Sequence, residues 1–312
     1  MRIVFFGSAE IGYPVLDALL DSPEDEVVAV ITQPDRPVGR KLRMTPCPVK
    51  EYAQRKELRV FSPEKVGSSE SLSELKQLNA DLFVVIAYGQ YIPQSVLSLP
   101  PKRSINLHPS LLPKYRGSSP IQWALANGDM VTGATILYVS EKMDAGDIIL
   151  QQKVDISPED NAITMETRLG NVGAKLLMEA VDQIRLGNAK SHPQDDAAAT
   201  EVRKLTKEDG RLDWTLPADV LNNRIRAFVS WPGCFCEAPS RSGLQRIKVF
   251  RAEVESANGA PGEVLDASGK GPLIAAGEGS LRLLEVQPAG KKVMDGSAYL
   301  RGYPLTPGIH LT

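Results

Sequence analysis

The sequence predicts an α/β fold, in which a mostly parallel sheet is followed by a small oligonucleotide-binding (OB)-like β-barrel domain. Continuous apolar runs such as 2–6 and 81–87 are typical of strands that are covered on both faces. A strand, a helix and a second strand lie within the first 32 residues, which predicts a right-handed parallel crossover. After residue 208, short strand candidates separated by Gly, Asn and Ser turns predict a small antiparallel barrel.

The order of the elements follows from the apolar period and from its interruption by proline and glycine. In the first part of the chain, strands are predicted over 2–6, 27–32, 59–61, 81–87, 104–107, 132–139 and 148–156. Helices are predicted up to residue 20 and over 49–56, 71–78, 120–127 and 162–186. A further helix over 217–228 precedes strands over 233–237, 246–252, 262–266, 272–276 and 280–286.

Composition limits the class of protein. With 312 residues, of which 42% are hydrophobic and 24% charged, the chain has enough apolar residues for two domains. The polar stretch 187–203 lacks an apolar period, so we predict a first domain over 1–189, a linker over 190–207 and a second domain over 208–312. The formal net charge of −2 leaves only local basic patches to bind a polyanion.

The cysteines and the N-terminal segment indicate the compartment. Cys47, Cys234 and Cys236 provide neither a disulfide framework nor a zinc-ligand spacing, so we expect a reducing compartment and no metal. The first apolar run is short and is typical of a buried strand rather than of a signal peptide. No apolar stretch approaches the roughly 20 residues that a membrane helix needs. We therefore expect a cytoplasmic protein without a membrane partner.

The segment 104–120 contains the strongest candidates for chemistry. Asn106 and His108 lie two residues apart on a predicted strand, so both side chains leave the same face. Pro109 and Pro113 then end the regular structure, which places the pair at a strand end that faces a loop. An amide donor and an imidazole at such a point can hold a developing oxyanion and move a proton. The alternative is a structural Asn beside a buried, hydrogen-bonded His.

A Met-Asp-Ala-Gly-Asp turn between two later strands supplies a carboxylate. If those strands flank the strand that carries His108, Asp144 can reach the imidazole, fix its tautomer and favour its protonated form. Asn106, His108 and Asp144 would then form an acyl-transfer site without a nucleophilic Ser or Cys. In this interpretation Asp144 takes the proton from an attacking amine. Asp147 is the competing carboxylate, for which turn capping is the simpler role.

The segment 33–48 interrupts the alternation of strands and helices. It contains four prolines and four basic residues, and it has no helical or strand period. Loops of this length are usually functional or disordered, so we predict a long exposed loop. Its charge suits a phosphate-bearing partner, and the alternative is a solvated surface loop without a partner.

Several motifs resemble a known family. NLHPSLLP at 106–113, YRG at 115–117 and MDAGDI at 143–148 resemble the signature of the 10-formyltetrahydrofolate-dependent formyltransferases, and the similarity extends over nearly the whole chain. A second set of motifs resembles the branch of that family that formylates methionyl initiator tRNA: QPDRP at 33–37, PVK at 48–50 and QPAGKKVM at 287–294. Ser8-Ala9 and Cys47 depart from the residues that are common in the family at those positions.

This resemblance implies a fold and a reaction. It implies a Rossmann-like formyltransferase domain, followed by a C-terminal barrel that helps to hold tRNA. It also implies transfer of a formyl group from 10-formyltetrahydrofolate, as co-substrate, to the amino group of methionyl initiator tRNA. The amine would attack directly, through a tetrahedral intermediate, in support of translation initiation. Asn106, His108 and Asp144 match the catalytic residues of the family.

The resemblance further assigns candidate binding residues. The folate is expected beside two segments, formed by Ile86, Ala87, Tyr88, Gly89, Gln90 and Tyr91 and by Ser110, Leu111, Leu112 and Pro113. For Tyr88 and Tyr91, plain core packing is the alternative. The tRNA is expected on basic side chains at two places, Arg36, Arg40, Lys41 and Arg43 in the exposed loop and Lys291 and Lys292 near the C-terminus.

Two other functions stay open at this point. The first is formyl transfer to a small amine, such as a nucleotide sugar or glycinamide ribonucleotide, and it does not need the basic loop. The second is a tRNA-binding module that has lost catalysis, against which the intact Asn106, His108 and Asp144 argue. We expect the protein to be a monomer.

Overall fold

The strands and helices that the apolar runs predict are all present, together with several short elements that they do not predict. The computed structural model describes residues 1–39, 42–240 and 243–312. The strands are β1 Arg2–Gly7, β2 Glu26–Ile31, β3 Arg36–Val38, β4 Arg43–Thr45, β5 Val60–Phe61, β6 Leu82–Ile86, β7 Ser104–His108, β8 Arg116–Gly117, β9 Val131–Tyr138, β10 Ile148–Asp155, β11 Glu201–Val202, β12 Cys234–Ser240, β13 Gly243–Glu255, β14 Val264–Asp266, β15 Leu273–Ala275, β16 Ser280–Pro288 and β17 Met294–Asp295. The helices are α1 Tyr13–Leu20, α2 Pro48–Arg55, α3 Ser69–Gln77, α4 Gln94–Leu97, α5 Pro120–Ala126, α6 Ala162–Arg185, α7 Ala218–Ala227 and α8 Gly296–Gly302.

Contacts divide the described residues into two units. The first comprises residues 1–117, 131–155 and 166–201, and the second comprises residues 118–130, 156–165 and 202–312. The domain boundaries at 189 and 207 stay a prediction. Within the first unit, however, residues 192–200 of the expected linker are hydrogen-bonded to neighbouring loops, for example between the backbones of His192 and Ile148.

A mostly parallel sheet forms the centre of the first unit, as predicted. Its strand order is β10-β9-β7-β6-β1-β2-β5. The strands β7, β6, β1, β2 and β5 run parallel to one another, while β9 and β10 are antiparallel to their neighbours. The carboxyl ends of the parallel strands therefore share one edge, which is where open α/β sheets bind ligands.

The side chains of β7 divide between the two faces of the sheet, and α6 packs on one of these faces. A Cβ atom at Gly173 of α6 would collide with the side chain of Leu107, so the helix approaches β7 closely at this glycine. Because successive side chains of a strand point to opposite faces, Asn106 and His108 lie on the face opposite to Leu107. The α6 side of β7 is therefore core, and the other side is available for a site.

The segment 33–48 differs from the loop that the sequence predicts. Arg36–Val38 and Arg43–Thr45 pair as an antiparallel hairpin, with Arg36 opposite Thr45. The expectation of a loop without strands was therefore wrong. Its short strands are too exposed to show an apolar alternation, because their residues face solvent on both sides.

The second unit contains the predicted antiparallel sheet. Its strand order is β12-β13-β16-β15-β14, and β17 pairs with β16. The helix α7 packs against β13, and its buried Leu221 and Ile225 supply apolar surface to this unit. The antiparallel C-terminal sheet is thus confirmed, whereas closure into an OB-like barrel stays a prediction. Within the described residues, no helix is both long and apolar enough to cross a membrane.

Candidate active site

His108 is the last residue of β7 and lies at the carboxyl edge of the sheet. The residue is buried, with a relative exposure of 4%. Asn106, two residues earlier on the same face, is half-buried. Within the described ranges its side-chain amide has no hydrogen-bond partner. The predicted pair therefore sits side by side at a strand end, with one donor group still available.

The histidine ring is oriented by a backbone carbonyl. His108 Nε2 lies 2.8 Å from the carbonyl oxygen of Tyr115. A carbonyl can only accept a hydrogen bond, so Nε2 must carry the proton and donate it. In the neutral ring Nδ1 is then the unprotonated nitrogen. The sequence interpretation gave the task of fixing the tautomer to Asp144, whereas the structure places Tyr115 in the position to do so.

Asp144 approaches the other ring nitrogen. Its Oδ2 lies 3.6 Å from His108 Nδ1, within ion-pair range but too far for a good hydrogen bond. The same Oδ2 accepts a hydrogen bond of 2.9 Å from the backbone N–H of Gly117. Both side chains are largely buried, with relative exposures of 5% and 16%. A protonated ring would thus keep Nδ1–H free for a reacting oxygen beside a negative charge.

The turn that carries Asp144 has a constrained backbone. Asp144 adopts the left-handed region with φ of 51°, which costs energy for a residue other than glycine. A Cβ atom at Gly146 would collide with the carbonyl oxygen of Tyr138, so only glycine fits there. The carbonyl of Asp147 accepts the backbone N–H of Tyr138 at 2.9 Å and closes the turn. Because this contact is made by the backbone of Asp147, the turn-capping role of its carboxylate stays a prediction.

Both loops are supported by Arg116 and by two residues that sequence reasoning missed, Gln194 and Asp196. Arg116 is buried, with 3% exposure, and its Nε donates to Gln194 Oε1 at 3.0 Å. Arg116 Nη1 donates to Asp196 at 2.7 Å, and this guanidinium lowers the pKa of the Asp196 carboxyl, with a further contribution from Lys142. Gln194 and Asp196 lie in a polar stretch without periodicity, so only the unusual burial of an arginine could have pointed to them, and burial is not visible in the sequence.

The first segment expected to bind folate follows β6. Ile86 and Tyr88 are buried, whereas Ala87, Gly89 and Tyr91 are exposed. Tyr88 packs edge-on against Phe6 with ring centroids 5.4 Å apart, and burial raises the pKa of its phenol. The core-packing alternative therefore describes Tyr88, while Tyr91 is open to solvent. Gln90 accepts from the backbone of Val66 and donates to the carbonyl of Pro63, and so shapes the loop.

The second segment expected to bind folate is largely inward-facing. Ser110 is fully buried and donates to the carbonyl of Lys114 at 2.7 Å. Leu112 packs in a small apolar cluster with Leu137 and Ile148. Leu111 and Pro113 are half-buried. The hydroxyl of Ser110 is thus engaged within the loop, and the assignment of these four residues to folate stays a prediction.

The basic hairpin, whose strands are Arg36–Val38 and Arg43–Thr45, is largely exposed, and its base is fixed by an ion pair. Lys50 Nζ lies 2.7 Å from Asp35 Oδ1. Arg36 reaches Glu64 at 3.2 Å on the surface, and Arg43 is exposed. The predicted tRNA contacts Arg40 and Lys41 lie outside the described residues. In the second unit, Lys291 and Lys292 are exposed in the turn between β16 and β17.

No group of three or more His, Cys, Asp or Glu side chains that could hold a metal ion occurs among residues 1–39, 42–240 and 243–312. Cys234 and Cys236 are free and buried, and burial raises the pKa of each thiol to about 12. At neutral pH both are therefore unreactive thiols.

Two family patterns match this chain. The pattern described as "Formyl transferase" matches residues 1–181, more than half of the sequence, and the pattern described as "Formyl transferase, C-terminal domain" matches residues 204–304. The chain belongs to the formyl transferase family. Its sheet edge, with Asn106 and His108 on β7, lies within the first of the two matches.

Curated members of the formyl transferase family resemble this chain over its full length. The methionyl-tRNA formyltransferase of Moorella thermoacetica is 42% identical over 310 residues, which cover 99% of this chain and 98% of that protein. The methionyl-tRNA formyltransferase of Geobacter sulfurreducens is 38% identical over 311 residues, covering 100% and 96%. The similarity therefore includes the basic hairpin and the C-terminal region, and not only the catalytic part.

Two solved structures share the fold of this chain. HypX from Aquifex aeolicus, in complex with tetrahydrofolic acid, superposes with a TM-score of 0.64 at 18% identity, covering 100% of this chain and 50% of HypX. This chain thus spans about half the length of HypX. An N-formyltransferase from Helicobacter canadensis, in complex with folinic acid and dTDP-3-aminofucose, superposes with a TM-score of 0.65 at 18% identity, covering 91% and 99%. At these identities the likeness supports the fold alone.

Proposed function

We propose that this formyl transferase moves a formyl group from 10-formyltetrahydrofolate to the amino group of methionyl initiator tRNA, and so supports translation initiation. The observation that carries the proposal is the position of Asp144 Oδ2, 3.6 Å from His108 Nδ1, on the sheet edge that also presents Asn106. The full-length similarity to methionyl-tRNA formyltransferases gives the acceptor.

The proposed reaction forms one bond and breaks one. The amine nitrogen attacks the formyl carbon, and the bond from that carbon to the folate nitrogen then breaks. Asn106 and the Nδ1–H of protonated His108 hold the oxygen on which negative charge develops, which typically contributes several kcal/mol. We propose that Asp144 accepts one proton from the attacking amine and returns it to the departing folate nitrogen, so that the transfer leaves the site unchanged. Asp144 Oδ2 is held by Gly117, while no hydrogen bond of Oδ1 occurs within the described ranges.

The folate is proposed to lie against the carboxyl ends of β6 and β7. Ile86, Ala87, Tyr88, Gly89, Gln90 and Tyr91 provide a loop in which alternate residues are exposed. Such a loop offers backbone donors and acceptors to a flat, amide-rich ring. Ser110, Leu111, Leu112 and Pro113 form the neighbouring loop. Because Ser110 and Leu112 are buried, the contribution we propose for these four residues is to shape the wall rather than to donate side-chain hydrogen bonds.

The tRNA is proposed to contact two basic sites, one in each unit. The first consists of Arg36, Arg40, Lys41 and Arg43, where the exposed Arg43 supports a phosphate contact. The second consists of Lys291 and Lys292, which extend from an exposed turn. We further propose domains over 1–189 and 208–312 joined by 190–207, an OB-like form of the second domain, and a monomer that acts in the cytoplasm.

A comparison of acceptors tests the function. Purified protein is mixed with 10-formyltetrahydrofolate and, in parallel, with methionyl initiator tRNA, methionyl elongator tRNA or a small amine such as an amino sugar nucleotide. We expect formylation of the initiator tRNA with a much higher kcat/KM than of any other acceptor. Faster turnover of the small amine would replace the proposal with the small-amine alternative, and an inactive protein that still binds tRNA would indicate a binding module.

A further inference from the structure

Residues 192–200, here called the clasp segment, hold the two loops that meet at His108. The backbone of His192 pairs with that of Ile148, at the end of the Asp144 turn. At the other end, Thr200 accepts the backbone N–H of Arg116 at 2.8 Å through its carbonyl. Its hydroxyl accepts the backbone N–H of Tyr115 at 2.8 Å. Tyr115 is the residue whose carbonyl orients the histidine ring. The clasp segment therefore connects both sides of the site.

Gln194 lies at the centre of the clasp segment and touches the Asp144 turn directly. Its Nε2 donates to the carbonyl of Asp144 at 2.8 Å and to the carbonyl of Gly146 at 2.8 Å. Its Oε1 accepts from Arg116 Nε at 3.0 Å. The orientation of the amide is fixed by its partners, because carbonyls only accept and a guanidinium only donates. Only a side-chain amide offers two donors and an acceptor in this arrangement.

The strain at Asp144 explains why the turn needs such support. Asp144 is held in the left-handed region with φ of 51°, and backbone of this kind persists only where the surroundings enforce it. Within the turn itself, Ala145 donates only a long bond of 3.3 Å to Lys142. The two bonds from Gln194 bracket Ala145 and supply the missing constraint.

Arg116 holds Gln194 in turn. The guanidinium is buried and is paired with Asp196 at 2.7 Å on its outer side. Its backbone precedes Gly117, whose N–H binds the Asp144 carboxylate. Arg116 thus ties together the clasp segment and the loop that holds the carboxylate. A charge buried in this way is strongly held by its partners, because leaving it unpaired would be costly.

The geometry points to Gln194 as a positioning residue, which acts through Asp144 and not on the substrates. This inference rests on the proposed function of Asp144 as the proton acceptor. It predicts that loss of the Gln194 amide displaces the carboxylate from His108 without removing any group that contacts folate or tRNA. A displacement of about 1 Å of a reacting group can cost on the order of 10²-fold in rate.

The test is a double-mutant cycle on formylation of methionyl initiator tRNA. Gln194→Met keeps the length of the side chain and removes its hydrogen bonds. We expect kcat to fall on the order of 10²-fold, with the KM values of both substrates unchanged. In the Asp144→Asn background the same change should cost nothing further, because residues that act as a unit are not additive. Gln183→Met is the matched control, since among the described residues the Gln183 side chain bonds only to the exposed Glu179.

Different results overturn different claims. If the wild type does not formylate methionyl initiator tRNA, or if Asp144→Asn is as active as the wild type, the proposed function of Asp144 fails together with this inference. If Asp144→Asn is impaired but Gln194→Met has normal kcat, or if the two losses multiply, only the positioning role fails. If Gln194→Met has a clearly lower Tm than the wild type, Gln194→Glu takes its place in the cycle. A carboxylate keeps the acceptor for Arg116 but cannot donate to the two carbonyls.

A second readout does not depend on activity. The chain has three histidines, so their ring nitrogens can be resolved by NMR. Gln194→Met should change the ring nitrogen shifts of His108 and leave those of His310 unchanged. Unchanged shifts of His108 would show that the turn does not depend on Gln194, and would contradict the inference.

Discussion

Asp144 faces His108 through the same oxygen, Oδ2, that accepts the backbone N–H of Gly117. The bond to Gly117 is 2.9 Å, whereas the distance to His108 Nδ1 is 3.6 Å. The backbone therefore orients the carboxylate. The ring nitrogen lies near the carboxylate without forming a close hydrogen bond to it. This relationship underlies the predictions below.

The two acidic residues of the turn should differ sharply in importance. Asp144→Asn removes the proposed proton acceptor and the negative charge beside His108. General acid–base groups contribute roughly 10²–10⁴-fold, so we expect kcat to fall within that range. Asp147→Asn is the matched control, because the contact of Asp147 that closes the turn is made by its backbone carbonyl. Equal losses in both variants would argue against a specific role for Asp144.

Gly146 should be intolerant of a side chain. In Gly146→Ala the new Cβ would collide with the carbonyl oxygen of Tyr138, so the turn must move and carry Asp144 with it. We expect lower kcat and a lower Tm, measured by formylation kinetics and thermal melting. Gly302→Ala, where nothing lies within 4 Å of the new Cβ, is the control and should leave both quantities unchanged. A fully active Gly146→Ala protein would show that the turn is less constrained than described.

The basic hairpin should determine how tRNA use depends on salt. Each phosphate contact that is lost lowers the slope of log affinity against log salt by about 1. We expect Arg43→Ala to raise the KM for tRNA and flatten this slope while kcat for saturating tRNA is retained. Lys175→Ala, a change of the same charge on an exposed position of α6, should have no effect. An unchanged slope in Arg43→Ala would favour the alternative interpretation, in which the hairpin is a surface element without a binding partner.

Glu166 should make the protein less stable at neutral pH. Burial raises the pKa of its carboxyl above the ordinary 4.5, the charge of Glu10 raises it further, and the backbone N–H of Ile11 opposes both. Because the pKa is raised in the folded state, the stability from this group is present below its ordinary pKa and is lost as pH rises through the folded value. Glu166→Gln should therefore raise Tm at neutral pH and leave it unchanged in acid.

Thermal melting from acid to neutral pH checks this prediction. Glu179→Gln, on an exposed position of the same helix, removes a carboxyl without burial and serves as the control. A lower Tm for Glu166→Gln at neutral pH would mean that the charged carboxylate of Glu166 stabilises the fold. That result would contradict the destabilisation expected from its raised pKa.

Much of the fold could be predicted from the sequence, because buried strands carry a signal of their own. The runs 2–6 and 81–87 match β1 and β6 to within a residue, since strands covered on both faces are continuously apolar. The strands Arg36–Val38 and Arg43–Thr45 were missed because they are largely exposed and because the first contains proline. An apolar pattern reveals strands that are buried, and these strands are hardly buried.

The candidate site was predicted only for those side chains whose spacing along the sequence places them together. Asn106 and His108 could be paired from their spacing on one strand. The role of Tyr115 could not, because a backbone carbonyl contributes the same atoms whatever its residue type. Gln194 could not be found either, since 86 residues beyond His108 it lies in a polar stretch that resembles a linker. Such contacts depend on tertiary structure alone.

The most direct test of the account is the single-turnover rate of formyl transfer by His108→Ala on methionyl initiator tRNA, beside the wild type. Removal of one oxyanion donor typically costs roughly 10²–10³-fold, so the rate should fall at least that far while folate and tRNA still bind and Tm changes little. A His108→Ala protein that transfers the formyl group at the wild-type rate would contradict the account.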